Sequence, residues 1–453
     1  MTVRRAPRHR SLTLLGIALL TLAACNENIS GGAACPSLCP GQQLEVHDTV
    51  ITASDLFDTT ALVNGMPPLG TETNLLVARR ADALGDSVVS GAIIRFDSLL
   101  RNFPRTDTTK PAVPLASVSA ASYVFTSIPD TSLNTDSVRF EVVDVDANVP
   151  DLDTATISNL LITRPPIGTL TVAKDTVGTQ HTVPLDTAFV RQRVTTPGAR
   201  IRLGVRMFPL HVTGHGGAQF GIVPRTSTSA STGVQTGTTL QYMGHAAATD
   251  TTDSLNFVNY ASSKSSGGPE FKYLANYQLV IKGSPPAPSG VQPVGGLPSS
   301  RLYLHFNLPS TLIDSSTTIV RATLIFHQMA DPTYAASDSL QLIPRVVIAS
   351  PIVTDLSKAA LLLAEPTTIP LLAQKANTNQ ARADTIVLVS RAASIVTLWR
   401  TEGPVIMQRA IVLQSSGEGR DPRRFLLYTT AAADSLRPQL HLTYIPRSGF
   451  GLP

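Results

Sequence analysis

Short apolar runs, separated by polar and turn-forming residues, recur along most of the chain. "SVRFEVVDV" (137–145) and "RLYLHF" (301–306) alternate apolar and polar positions, which is typical of a strand with one face packed and the other in water. "SGAIIRFDSL" (90–99) is short and rich in β-branched and aromatic residues. Helical periodicity is rare and is clearest at 355–366, whereas the Gly- and Pro-rich stretch 283–299 indicates a loop. This distribution predicts an all-β fold of the sandwich or barrel type.

The predicted strands occur in the same order in both halves of the chain. Tyr242 and Tyr444 take matching positions in the last strand of each half, which suggests a shared structural role. Such repetition predicts two copies of one domain of roughly 200 residues, each with its own core. The expected β-sandwich domains are 45–248 and 249–448. The matched segments are 75–77, 93–97, 123–125 and 136–140 in the first half and 279–281, 302–307, 324–326 and 338–342 in the second.

A different pattern occupies the N-terminus. Residues 4–10 contain four arginines, and an apolar run of eleven residues follows at 12–22. Spanning a bilayer takes about 20 apolar residues. A short apolar run behind a basic segment therefore predicts a secretory signal rather than a transmembrane helix.

The apolar run ends in Leu22-Ala23-Ala24-Cys25, which matches the bacterial lipobox, so the N-terminus resembles a lipoprotein signal peptide. The resemblance implies a thioether-linked lipid on Cys25, cleavage before it, and acylation of the new N-terminus. Residues 1–24 would then be the signal peptide, and 25–44 a polar, flexible tether. The alternative is an ordinary secretory signal cleaved after Ala24, with Cys25 unmodified.

The residue after the lipobox bears on location. Asn26 follows Cys25, whereas an aspartate at this position resembles an inner-membrane retention signal. Outer-membrane or cell-surface placement is therefore favoured. Two or three acyl chains give stable anchoring, so the membrane is a predicted partner.

Cleavage also changes the charge of the chain. The full sequence has 36 basic and 32 acidic residues, a net charge of +4. All four arginines of the leader are lost with it, which leaves 32 basic against 32 acidic residues. A net charge near zero gives no electrostatic reason to expect a nucleic-acid partner.

Two further cysteines lie in the tether as "CPSLC", at Cys35 and Cys39. Compartments outside the cytoplasm permit disulfides, so a small Cys35–Cys39 loop is expected. Free or intermolecular cysteines are the alternative. A zinc site is not expected, because two cysteines supply only half of a tetrahedral ligand set.

Four segments of the second half suggest a family. They are "SRLYLHFNLPSTL", "TIVRATLIFHQ", "AASIVTLWRTEG" and the closing "RPQLHLTYIP". In this order, clearest over 275–446, they resemble the DNRLRE-type jelly-roll domain of bacterial and archaeal surface proteins, a relative of some carbohydrate-binding modules. The first half matches less well, because it lacks the tryptophan and the Arg-Pro pair. The resemblance implies two tandem jelly-roll-like β-sandwich domains after a lipoprotein signal peptide, but no particular reaction.

One acidic segment, "DVDANVPDLD" (144–153), is a candidate calcium site. Closely spaced carboxylate and amide oxygens are the ligands that Ca²⁺ prefers. The segment departs from an EF-hand loop, because Val149 stands where glycine belongs and Ala155 where glutamate belongs. The alternative is a solvated loop whose Asp and Asn residues favour turns. The candidate ligands are Asp144, Asp146, Asn148, Asp151 and Asp153.

Other chemical motifs are weak. His211 and His215 lie in "HVTGHGG", where the glycines argue against a helix and no HExxH glutamate follows. No serine sits in a G-x-S-x-G turn. Trp399 follows Ile395 by four residues, so core packing is expected and ligand stacking is the alternative. Apart from calcium, no cofactor is expected.

Together these patterns predict a lipid-anchored, extracytoplasmic surface or envelope protein with a structural, adhesive or binding role and no enzymatic activity. A glycan or an envelope protein would be its partner. The first alternative is a carbohydrate-binding module protein, which would need a concave sheet face with exposed polar or tyrosine side chains. The second is a glycan-acting hydrolase, whose two carboxylates cannot be recognised from sequence spacing.

Overall fold

The computed structural model describes most of the chain between residues 46 and 446. Outside the described residues lie 1–45, 53–55, 83–84, 106, 108, 130–136, 174–179, 197, 199, 211–215, 225–236, 248–253, 263–273, 310–316, 335–338, 350–351, 364–373, 378–381, 390–408 and 447–453. The described part is nearly all antiparallel β-structure arranged in two large sheet systems. The all-β sandwich prediction is confirmed.

Strands occur along the whole described chain, and helices are short. The helices are α1 Thr154–Thr163, α2 Thr187–Thr195 and α3 Leu356–Leu362. The strands are β1 His47–Thr52, β2 Phe57–Asn64, β3 Leu75–Asp82, β4 Gly85–Phe96, β5 Asn102–Phe103, β6 Val113–Pro129, β7 Val138–Asp144, β8 Pro166–Val172, β9 Gln180–Pro184, β10 Ile201–Pro209, β11 Gly216–Ile222, β12 Thr239–Ala246, β13 Ser254–Tyr260, β14 Asn276–Lys282, β15 Val291–Gly295, β16 Ser300–Phe306, β17 Thr317–Met329, β18 Ser339–Val346, β19 Gln374–Asn377, β20 Arg382–Val389, β21 Ala410–Ser415, β22 Arg424–Tyr428 and β23 Gln439–Pro446.

The first sheet system, here called the first module, contains β3 to β14. Its strands lie in the order β13-β12-β6-β11-β3-β4-β10-β7-β8, with β5 and β9 beside β6 and β14 beside β4. Two layers pack face to face, and aromatic side chains from both fill the space between them. Phe125 on β6 contacts Phe140 on β7 edge-to-face, with ring centroids 5.2 Å apart.

The second module contains β15 to β23 together with β1 and β2. Its strands lie in the order β1-β23-β17-β22-β15-β16-β21-β18-β19, with β20 beside β17 and β2 beside β16. Position by position, this is the order of the first module. Each strand from β15 to β23 takes the place that one of β3, β4 and β6 to β12 takes in the first module.

The two modules differ in where their edge strands come from. In the first module the edge strands β13 and β14 come from the chain just after β12. In the second module the same two positions are held by β1 and β2, from the start of the described chain. The second module is therefore built from two separate parts of the sequence.

This pairing departs from the predicted domain boundaries. β1 and β2 lie within 45–248, yet they pair with β23 and β16 of the second module. β13 and β14 lie within 249–448, yet they pair with β12 and β4 of the first module. The cause is that an edge strand joins whichever core its apolar face fits, and sequence position does not reveal that core.

Each module also has a smaller apolar cluster outside its main core, beneath a helix. In the first module Ile157 and Leu161 of α1 cover Tyr277 of β14. In the second, Ala359 of α3 belongs to a cluster on which Ala61 and Val63 of β2 pack. The helices occupy equivalent places, between β7 and β8 and between β18 and β19, so both edge strands are covered in the same way.

Helix α1 approaches its sheet closely because two strand positions lack side chains. A Cβ on Gly91 would lie 2.7 Å, and one on Gly204 2.5 Å, from side-chain atoms of Leu161. Neighbouring strands β4 and β10 carry these glycines. The small residues therefore make room for Leu161 at the sheet surface.

Candidate functional site

Several of the residues singled out from the sequence lie outside the described part of the chain. These include the whole leader and tether, and hence the lipidation candidate. The residues concerned are Cys25, Cys35, Cys39, His211, His215 and Trp399. Their predicted roles stay predictions.

The acidic segment 144–153 is fully described, and most of its side chains have separate partners. Asp144 pairs with Arg193 at 2.8 Å. Asp146 accepts a hydrogen bond from the backbone N–H of Asn148 at 2.9 Å, which closes a local turn. Asp153 caps helix α1 by accepting from the backbone N–H of Thr156 at 3.1 Å.

Asp151 has a different environment, because it is fully buried. Its Oδ1 accepts hydrogen bonds from the Arg202 guanidinium and the Tyr277 hydroxyl, each at 2.7 Å. Its Oδ2 accepts from the backbone N–H of Leu274, also at 2.7 Å. Burial and the neighbouring Asp151 charge raise the pKa of the Tyr277 hydroxyl, which therefore stays protonated and donates. Asp151 thus ties β10 to the edge strand β14.

The five predicted calcium ligands are therefore not gathered around one point. Three carboxylates serve an ion pair, a turn and a helix cap, and the fourth is enclosed in a buried network. Among the described residues, no group of three or more His, Cys, Asp or Glu side chains is placed to hold a metal ion. The turn and cap contacts are those of the solvated-loop alternative, whereas the burial of Asp151 was not expected from the sequence.

A cleft lies where the chain passes from β2 to β3. We call it the junction cleft; its volume is about 520 Å³. One wall is the connecting segment 65–74, and the other is the second module, mainly the turn between β21 and β22. Its polar lining includes Glu72, Arg301, Gln414, Ser416, Glu418 and Arg420.

An arginine–carboxylate pair forms the base of the second wall. Arg301 donates from Nε to Glu418 Oε1 at 2.7 Å and from Nη2 to Oε2 at 2.6 Å. Only 10% of the Arg301 side chain and 15% of the Glu418 side chain are exposed. This bidentate pair is nearly desolvated, so it holds the β21–β22 turn against β16.

The opposite wall carries a second carboxylate. Glu72 accepts a hydrogen bond from the backbone N–H of Gly70 at 2.7 Å. Burial raises the pKa of the Glu72 carboxyl, although hydrogen bonds from backbone N–H groups oppose the increase. Through its hydrogen bond from Gly70, the carboxyl helps to shape the connecting segment.

These hydrogen bonds and this ion pair determine which groups of the junction cleft can contact a ligand. Both oxygens of Glu418 are occupied by Arg301, and Glu72 is bonded to backbone. The described residues that line it include serines but neither histidine nor cysteine. Exposed Ser416 and Arg420 remain as groups that can hydrogen-bond to a polar ligand.

A second concave surface lies on the β1–β23–β17 face of the second module. Its volume is about 420 Å³. Asp48, Arg321, His441 and Thr443 supply its polar groups. Among the described residues that line it there is no tyrosine or tryptophan, the side chains on which sugar rings stack.

Neither a scan against protein-family models nor a search of curated proteins finds a match for the chain. The resemblance to DNRLRE-type domains and to lipoprotein signal peptides therefore stays a prediction. Within the described residues, no helix has the length and apolar character needed to cross a membrane.

Proposed function

We propose that the protein is a lipid-anchored, extracytoplasmic surface or envelope protein with a structural, adhesive or binding role. One observation carries the proposal: a basic segment, a short apolar run and Leu22-Ala23-Ala24-Cys25 follow one another at the N-terminus. The thiol of Cys25 is the group that would take the lipid. The acyl chains would anchor the protein in the outer membrane or at the cell surface, and the tether 25–44 would connect them to β1.

The contacts of the described carboxylates support a binding role. The carboxylates of the acidic segment and of the junction cleft are engaged in ion pairs, caps and backbone contacts. A glycan-acting hydrolase needs two carboxyl groups that are free to act on one bond.

Mass spectrometry of the N-terminus of the native protein tests the anchor. We expect a chain that begins at Cys25 and carries a diacylglyceryl thioether and an N-acyl group. Cys25→Ser should release the protein from the membrane fraction, whereas the matched control Cys35→Ser should stay there. An unmodified Cys25, or a terminus elsewhere, would contradict the proposal.

A carbohydrate-binding role is the second candidate, and the junction cleft favours it. The cleft presents hydroxyl, amide and guanidinium groups on walls that also include apolar Leu356 and Ile343. Polyhydroxylated ligands match such a mixture. A glycan array probed with the full chain should give binding that Arg420→Ala reduces at least severalfold. Arg191→Ala, an equally exposed arginine on α2, should bind as the unsubstituted chain does.

A further inference from the structure

The N-terminal arm, defined as residues 46–64, completes the second module, although the first module is the one that directly follows it in the chain. It leads through segment 65–74 into β3 of the first module. Its own strands, however, are edge strands of the second module, one on β23 and one on β16. The arm thus joins two parts of the molecule that are hundreds of residues apart in sequence.

The first strand of the arm is attached along its whole length. Its six residues pair with six residues of β23. His47 stacks on Tyr444, with ring centroids 5.5 Å apart, and Thr443 donates a hydrogen bond to Asp48 at 2.6 Å. Ile51 is only 6% exposed and lies in the main core of the second module.

The second strand of the arm is attached through both of its faces. Phe57 contacts Phe306 edge-to-face in the main core, with ring centroids 5.0 Å apart. His305 Nδ1 and Asp58 Oδ1 lie 2.6 Å apart at the surface. Val63 packs on the cluster beneath α3.

The first module has a matching pair of strands, β13 and β14. Tyr242 stacks on Phe257 of β13, with ring centroids 5.2 Å apart and an interplanar angle of 22°. Tyr444 stacks on His47 at 21°. Each tyrosine is the direct cross-strand partner of the ring on which it stacks. The matching positions of these tyrosines in the sequence therefore correspond to one shared role: each holds an edge strand.

The two halves of the described chain consequently have a reciprocal arrangement. Each begins with a pair of strands, β1 with β2 and β13 with β14, followed by strands of equivalent order. Each pair completes the module built by the other half. Two copies of one domain that had exchanged their first two strands would have this arrangement. Here both copies belong to a single chain.

We propose that the N-terminal arm is a transferable donor, and that two copies of this chain pair by exchanging arms. The arm would make the same contacts with the second module of another copy as with its own, because none of those contacts involves the segment 65–74. The intermolecular form requires segment 65–74 to take another path and to give up its own contacts with the second module, such as the 2.7 Å hydrogen bond from the Gly65 N–H to the Ser299 carbonyl. High protein concentration favours this form.

The equivalent strands of the first module cannot be exchanged in this way. β13 follows β12 after the short connection 247–253, and β14 leads into β15 through 283–290. Covalent links at both ends thus hold this pair in place, and the buried Asp151 network adds to them. Within the described chain the arm is linked to other strands at its C-terminal end, through segment 65–74, so the proposal is specific to the arm.

A mixture of two single-cysteine chains tests the proposal. One chain carries Asp48→Cys and the other Thr443→Cys, and Cys25, Cys35 and Cys39 are serine in both, without the leader. The two chains are unfolded together, refolded at high protein concentration and oxidised. A disulfide between Asp48→Cys and Thr443→Cys forms only if the arm of one copy lies in the second module of the other. We expect a reducible product of twice the chain mass.

The matched control uses the equivalent pair in the first module, Gln241→Cys mixed with Val258→Cys. These residues are direct cross-strand partners of β12 and β13, as Thr443 and Asp48 are of β23 and β1. We expect at most a tenth of the cross-linked product. All four positions are partly or fully exposed, so the variants should fold. Absence of the first product, or equal amounts from both mixtures, would overturn the proposal.

Discussion

Residues of one type, close together in sequence, perform quite different tasks in this protein. The aspartates of 144–153 form an ion pair, a turn, a helix cap and a buried network. Only the buried Asp151 combines a charged partner with two further donors inside the protein. We therefore expect Asp151 to contribute more to the free energy of unfolding than the other carboxylates of the segment.

Replacing Asp151 should accordingly cost far more than replacing its neighbour. Asp151→Ala leaves the Arg202 guanidinium buried without its partner, and we expect a loss of about 3–5 kcal/mol in the free energy of unfolding. Asp153→Ala removes an exposed helix cap and should cost much less. Urea denaturation of both variants measures the difference.

The same experiment addresses calcium binding. Added Ca²⁺ should leave the midpoint of unfolding of all three proteins unchanged, because the candidate ligands face separate partners. Equal losses in the two variants, or a calcium-dependent rise in the midpoint that Asp153→Ala abolishes, would contradict this account of the segment.

The sequence pattern identified the acidic segment but not the residues that bind Asp151. Arg202 lies in "ARIRLGVRMF", where an arginine within an apolar strand is a signal of a buried charge. Tyr277 gives no such signal, because a tyrosine in a strand fits an ordinary core. Arg202 reaches Asp151 because β10 pairs with β7, and Tyr277 reaches it because β14 pairs with β4. The spacing of residues encodes neither pairing.

The local sequence pattern predicted well where strands lie, but it predicted poorly which strands pair with each other. β4, β7, β16 and β23 lie where alternating or apolar runs predicted them. β15 lies inside 283–299, which its prolines and glycines marked as a loop. It is a strand because β22 pairs with it along its whole length, so tertiary contacts prevail over local composition.

For the edge strands, neighbours in the chain and neighbours in space are different strands, and this difference can be tested. Phe57→Ala removes a buried ring from the arm and should cost about 3–5 kcal/mol. Hydrogen exchange should then lose protection in β16, which the arm contacts, and not in β3, which follows it in the chain.

The corresponding substitution in the first module is Phe257→Ala. It should lower protection in β12 and leave β23 unchanged, since Phe257 stacks on Tyr242. If Phe57→Ala instead lowered the protection of β3, the arm would belong energetically to the first module. The reciprocal arrangement would then be wrong.

At the scale of the whole molecule, the predicted fold class was right and the predicted division of the chain did not match the pairing. The repeated order of apolar runs is a property of each half, and it is visible in the sequence. The transfer of strands between halves is decided by which core buries Ile51 and Phe57. A cut at 248 would separate each core from two of its own strands.

The pairing of His47 with Tyr444 also brings the first strand of the described chain against the last. The beginning of the described chain, β1, and its end, β23, therefore lie side by side at one edge of the second module. If the lipid at Cys25 holds the molecule, the tether leads first into the second module, most of which is encoded last. The first module then lies behind the second along this route, although β3 to β14 come earlier in the chain than β15 to β23.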